Sequence, residues 1–215
     1  RENEYLLIWT TTEWTLSSNV AAAVNPNINY VKAQTNNEIV YLSEATVKKL
    51  GRDYKILKTI KGSDLVGLEY ESFYPDFQVQ KGISHRVIPF SEVGEQDGTG
   101  IVHIAPSCGD IDYEMGQKLN LKILDPAVDE FGVYNEGYSW LTGKNVKNVK
   151  KEIVADLEKR KLLFKVENFK HRYPICWRCK EELVFRLDYS WFISCDEIRP
   201  KMKEESKKVI WYPKH

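Results

Sequence analysis

Short apolar runs dominate the chain up to residue 140: positions 5–10, 38–42, 54–60 and 101–105 are rich in Ile, Leu, Val, Tyr and Thr, with Gly, Asn, Asp and Pro between them. Runs of this length and composition predict β-strands, and many short strands joined by turn residues predict a closed sheet or a sandwich. The expected fold class is mixed α and β, with a β-barrel core decorated with helices. Residues 43–51 read as a short helix capped by Ser43 and stopped by Gly51, and a second helix is expected from Asp112 to about Leu119. From Asn145 to Lys161, Val146, Val149, Ile153 and Leu157 recur at spacings of three and four among lysines and glutamates, the period of an amphipathic helix. Past that helix the chain changes character. We divide it into a globular unit, residues 1–165, and a following segment, residues 166–215. No internal repeat or low-complexity tract interrupts either part.

The composition adjusts this picture in three ways. Of the 215 residues, 42% are hydrophobic, enough for a sizeable core. Lys plus Arg equals Asp plus Glu at 31 each, so no overall positive field exists to hold a long duplex through many phosphates, and nucleic-acid contact is expected to be local. The first residues lack the basic, apolar and small-residue regions of a signal peptide, and no run is apolar enough to span a bilayer. A cytoplasmic, monomeric chain without membrane attachment is the expectation. The four cysteines do not have the spacing of a disulfide scaffold. Cys176 and Cys179, two residues apart, have instead the spacing with which two thiolates grip one zinc ion. A structural zinc site needs four ligands; Cys195 is a candidate third and His171 a weaker fourth.

Two clusters carry the chemistry. Residues 10–19, Thr-Thr-Thr-Glu-Trp-Thr-Leu-Ser-Ser-Asn, gather hydroxyls and an amide at the end of a strand, where they can bind a polar ligand or position a water. The plainer reading is a threonine-rich strand end followed by a helix cap. Residues 98–113 read as a turn, a strand and a glycine-containing loop that delivers Asp110 and Asp112 to a helix start. In that strand Ile101, His103 and Ala105 share one face, and Val102 and Ile104 the other. Taken alone, His103 is an ordinary core histidine and Asp112 an ordinary helix-start carboxylate.

Taken together, in order and spacing, residues 8–19, 23–26 (Ala-Val-Asn-Pro) and 98–106 (Gly-Thr-Gly-Ile-Val-His-Ile-Ala-Pro) resemble the inserted editing domain of isoleucyl-tRNA synthetases. The resemblance spans the whole chain. It implies hydrolysis of the ester in valyl-tRNA(Ile), with the aminoacylated CCA end, its valine moiety and the catalytic domain of the parent synthetase as partners. It also implies roles: Thr10, Thr11, Thr12 and Asn19 line the pocket and meet the terminal adenosine and the ester. Trp14 supports the pocket, His103 limits side-chain size, and Asp112 pairs with the α-amino group. Editing itself needs no cofactor; Cys176 and Cys179 become half of a structural zinc site whose other thiols lie outside this segment. The chain departs from the family pattern at Glu13, Ser17, Cys108 and Ile111. The competing readings are a non-catalytic zinc-knuckle module binding RNA through Arg172, Arg178 and Arg186, and an editing-type domain of altered or lost activity. No signature of ATP-dependent amino-acid activation is present.

Overall fold

A computed structural model describes residues 3–35, 38–51, 53–96, 98–170 and 172–213. Among these residues seven strands form two sheets: β1 (Glu4–Leu6), β2 (Ala21–Val24), β3 (Asn29–Thr35), β4 (Glu38–Ser43), β5 (Lys55–Lys61), β6 (Arg86–Pro89) and β7 (Ile101–Ile104). One sheet has the order β1-β4-β3-β5 and the other β6-β2-β7. Past β1 the chain crosses from the first sheet to the second: Leu7 N–H still donates to Tyr41 O at 3.0 Å, whereas Trp9 forms a parallel bridge with Val102 of β7.

The mixed α and β class is observed, but among the described residues the two sheets do not close into the expected barrel. β5 ends the first sheet with most of its side chains exposed, and β6, at an end of the second, is bordered by residues 67–70 and not by β5. A barrel stave must bury one face, and β5 has too little apolar surface on either to do so.

Three strands were not anticipated from sequence: β2, β3 and β6. β2 shows why. Its Ala-Ala-Ala-Val run is completely buried, with Ala21 and Ala23 packed among Val20, Ile88, Ile104 and Met115, and Ala22 and Val24 among Tyr30, Leu65, Val87 and Ile101. A strand covered on both faces has no polar alternation to read, and alanine is the best helix former.

The helices are α1 (Asp110–Lys118), α2 (Lys150–Lys159) and α3 (Arg199–Ser206), with shorter 3-10 turns that include Glu13–Ser18 and Glu44–Leu50. The helix expected over residues 43–51 takes the tighter 3-10 form and ends at Gly51 in the left-handed conformation (φ 64°). Ser43 does not cap it; its hydroxyl donates to Glu95 O at 2.8 Å. The long amphipathic helix is split, a 3-10 turn at Val146–Asn148 preceding α2, yet Val146, Val149, Ile153 and Leu157 are all buried, as their spacing requires. They form one core cluster with Trp14, Leu16, Tyr134 and Tyr138, which seats the turn Glu13–Ser18 on α2.

Beyond Leu157 few side chains are covered. Phe169 sets its ring edge against Trp9 at 5.0 Å, but Trp191, Phe192 and Ile193 are exposed and α3 buries nothing. No described helix is long and apolar enough to cross a membrane.

Candidate active site

The crossing of β1 onto β7 builds the site. Because Trp9 bridges Val102 in parallel, Thr10 arrives beside His103. The preceding turn needs its glycines: Gly98 (φ 55°) and Gly100 (φ 72°) are left-handed, and a Cβ would meet the Trp9 ring at 2.6 Å and the Ser43 Cβ at 2.5 Å respectively. His103 is paired with Ala22 on β2 and shares the Ile101 face, as the strand alternation demands.

Threonine hydroxyls converge on its ring. His103 Nε2 lies 3.0 Å from Thr15 Oγ1 and 3.3 Å from Thr10 Oγ1. Thr12 Oγ1 lies 3.1 Å from Thr15 Oγ1 and 3.5 Å from Thr10 Oγ1, and Thr12 N–H donates to Thr10 Oγ1 at 3.0 Å. The ring is 7% exposed, and burial pushes its pKa down to about 4, so it is neutral at physiological pH. Its Nδ1 is buried without a hydrogen-bond partner among the described residues.

Asp112 is tied to the same strand. Two residues past His103, Ala105 N–H donates to Asp112 Oδ2 at 2.8 Å, so the end of β7 and the first turn of α1 are held together. Burial raises the Asp112 pKa above the usual carboxylate range, and the Ala105 bond only partly offsets this. Asp110, on the same turn, is exposed.

The other expected residues occupy different layers. Thr11 is exposed and, with Thr10 and Glu13, lines a groove of 2580 Å³ that reaches Phe73, Arg160 and Phe169 but not His103 or Asp112. Asn19 is fully buried: its amide donates to Ala21 O at 2.8 Å, and its Oδ1 accepts from Tyr70 Oη at 2.7 Å. It braces the loop from behind. Trp14 lies beneath the turn in the core.

Sequence reading missed Thr15, whose position inside a 3-10 turn hid its contact with a residue 88 positions away. It also missed the bracing set of Tyr70, Gln80 and His85. His85 Nε2 lies 2.9 Å from Gln80 Oε1 and 3.1 Å from Asn19 O, and the Gln80 amide donates to Ser17 O at 2.8 Å. Nothing in the local sequence marks these three.

The departures from the family pattern are accommodated. Ser17 donates its hydroxyl to Trp14 O at 2.8 Å, and Ile111 is exposed on α1. Cys108 packs against the Trp14 cluster, and burial pushes its thiol up to about 11, the opposite of what a nucleophilic cysteine requires.

In the following segment Cys176 O accepts Lys180 N–H at 2.9 Å across a tight turn, and backbone N–H groups of Cys179 and Arg178 lower the Cys176 thiol pKa. That donor arrangement favours thiolate and fits one half of a tetrahedral metal site. The described residues contain no group of three or more metal-ligating side chains, so Cys195 is not gathered with the pair; His171 lies outside the described residues.

No family profile matches the chain. It is 41% identical over 213 residues to an isoleucine–tRNA ligase of Picrophilus torridus and 40% identical over 211 residues to that of Methanothermobacter thermautotrophicus, covering 99% and 97% of this chain. It is 40% identical over its full length to isoleucine–tRNA ligase 2 of Bacillus anthracis. The chain spans about a fifth of the length of these relatives. Among solved structures, the leucyl-tRNA synthetase segment GlLeuRS-CP1 superposes with a TM-score of 0.61 at 17% identity, over 78% of this chain and 87% of that one. The editing domain of the P. knowlesi cytosolic leucyl-tRNA synthetase gives 0.56 at 14% identity, over 86% and 84%. With about 40% identity along its whole length to isoleucine–tRNA ligases, the chain belongs to the isoleucyl-tRNA synthetase family, and it has the fold of the leucyl-tRNA synthetase editing domain.

Proposed function

We propose that the chain proofreads after transfer, hydrolysing the aminoacyl ester at the CCA end of valyl-tRNA(Ile) in the cytoplasm while tethered to the catalytic domain of its synthetase. The chemical need is plain. Valine lacks one methylene of isoleucine, and a hydrophobic pocket extracts only about 1–3 kcal/mol from that difference, a figure established on isoleucyl enzymes themselves. A second pocket that admits only the smaller side chain supplies the missing discrimination.

The observation that carries this reading is the meeting of two threonine hydroxyls, Thr10 and Thr15, with neutral His103, with Thr12 joined to them, on a strand whose end also anchors Asp112. Burial disfavours the charged form of the Asp112 carboxyl, and an incoming cation offsets that cost; the substrate's α-ammonium is such a cation, and pairing adds a charge-assisted hydrogen bond. His103 offers the amino-acid side chain a ring edge as a wall. Hydroxyl and backbone donors steady the oxyanion that forms when water adds to the ester carbonyl carbon. The carbon–oxygen bond to the ribose then breaks; one water proton passes to the ribose oxygen, helped by the neighbouring ribose hydroxyl, and the amino acid leaves. Cys108 takes no part. Cys176 and Cys179 would hold two positions of a structural zinc completed by thiols outside this chain.

The test is deacylation of valyl-tRNA(Ile), with isoleucyl-tRNA(Ile) as control. The chain should hydrolyse the first and spare the second, and His103→Ala should open the wall and raise isoleucyl hydrolysis. Equal hydrolysis of both by the unaltered chain, or none of either, would overturn the reading.

A further inference from the structure

The proton inventory around His103 is unusually constrained. Thr15 has one hydroxyl proton, and it is committed to Thr12 O at 2.7 Å, so toward His103 Nε2, 3.0 Å away, Thr15 Oγ1 can only accept. Nε2 must therefore carry the ring proton. Thr10 Oγ1, already accepting from Thr12 N–H, is a longer second acceptor at 3.3 Å. Nδ1 is left with a lone pair in a buried place where the described residues provide no donor.

We propose that Thr15 is a positioning residue for the proofreading site: by accepting from Nε2–H it fixes His103 in one neutral tautomer and one ring orientation, and thereby sets the size limit separating valine from isoleucine. The inference rests on the proofreading reading for its second half and on geometry alone for its first. Burial strengthens it, because a ring that stays neutral down to about pH 4 can change at physiological pH only through its tautomer and its tilt. It also fixes what His103 does not do. With its proton held toward the threonines, Nε2 cannot act as a general base. The plainer role of Thr15, closing the 3-10 turn onto Thr12 O, explains stability but predicts no effect on which ester is cleaved.

Thr15→Val keeps the shape and removes both bonds; Thr15→Ser keeps both bonds and removes a methyl group. The ratio of valyl to isoleucyl deacylation should fall about 2- to 10-fold in Thr15→Val, the worth of one neutral hydrogen bond, and stay within about twofold in Thr15→Ser. Nitrogen NMR of the unaltered chain should show a protonated Nε2 and a bare Nδ1 on His103. An unchanged ratio in folded Thr15→Val, or a proton on Nδ1, overturns the proposal. If Thr15→Val fails to fold, the serine variant and the nitrogen spectrum still decide it. Failure of the unaltered chain to cleave valyl-tRNA(Ile) would remove the proofreading reading and the size-limit role with it, while the spectrum would separately decide the tautomer.

Discussion

The strand Ile101–Ile104 and the run at residues 190–193 look alike in sequence, each a short apolar stretch with one polar member, yet they have opposite fates. In the strand, Ile101 and Ile104 are 0% and 1% exposed and even His103 is covered. In the later run, Trp191, Phe192 and Ile193 are exposed at 102%, 90% and 90%. The first has β2 on one side, the Thr10 crossing on the other and a core on each face. The second has no such neighbours among the described residues. Apolar character states a demand for burial; topology decides whether this chain can meet it, and where it does, buried polar groups become available for chemistry. The functional weight should therefore lie in the first region, and that contrast can be attacked directly.

The largest effect is expected at Asp112. Asp112→Asn keeps an acceptor for Ala105 N–H and removes the charge. If the carboxylate holds the substrate ammonium in the transition state, the loss is that of one partner in a desolvated pair, about 2–5 kcal/mol, or roughly 30-fold to several thousand-fold in valyl-tRNA deacylation. The free chain should respond in the other direction. A carboxyl whose folded pKa is raised binds its proton more tightly folded than unfolded, so its contribution to stability is present at low pH and is lost as pH rises from the usual carboxylate range through the raised value. Asn cannot ionise and should leave the ligand-free chain at least as stable at neutral pH. Denaturant midpoints at acid and neutral pH, set beside deacylation rates, check both signs. A variant that edits normally would reduce Asp112 to a helix-start carboxylate.

That pairing of opposite effects was only half legible in the sequence. The threonine run, His103 and Asp112 could be read because their spacing is distinctive, and the face of His103 followed from strand alternation. The amphipathic positions Val146, Val149, Ile153 and Leu157 were legible for the same reason: periodicity survives wherever one face is wet. It fails where both faces are dry, as in β2, and where partners come from distant loops. Asn19 looks in sequence like a ligand contact, but Tyr70 and the Ala21 carbonyl absorb its amide. Thr15 reads as one more turn hydroxyl, although it reaches His103. The openness of the sheets was likewise hidden, since it depends on β5 having no second layer to cover it. The two-cysteine spacing could be read, but the described residues gather no third ligand beside it.

An intermediate effect is expected from the covered region where it carries no chemistry. Ile153 is 0% exposed in the cluster that seats Trp14 and the turn Glu13–Ser18 on α2. Ile153→Ala should cost about 2–5 kcal/mol of stability through the lost burial and the cavity left behind, read from the urea midpoint. Deacylation by the fraction still folded should change less than in Asp112→Asn, because no group in contact with substrate is removed. A loss smaller than about 1 kcal/mol would mean that the cluster is looser than its burial indicates.

The smallest effect is expected at Trp191. Its side chain is fully exposed, so replacing it by Ser removes no apolar contact within this chain, and such surface changes ordinarily shift stability by no more than about 0.5 kcal/mol. Urea unfolding of Trp191→Ser should superpose on that of the unaltered chain, and valyl-tRNA deacylation should be unchanged. Solubility should improve, because Tyr189, Trp191, Phe192 and Ile193 together present neighbouring apolar side chains to water. A destabilisation above about 1 kcal/mol would show that the run does find burial within the chain, and the contrast with Ile101–Ile104 would collapse. An unchanged midpoint together with higher solubility would sharpen it: the apolar side chains at 189–193 would then be a demand for burial that residues outside this segment have to meet.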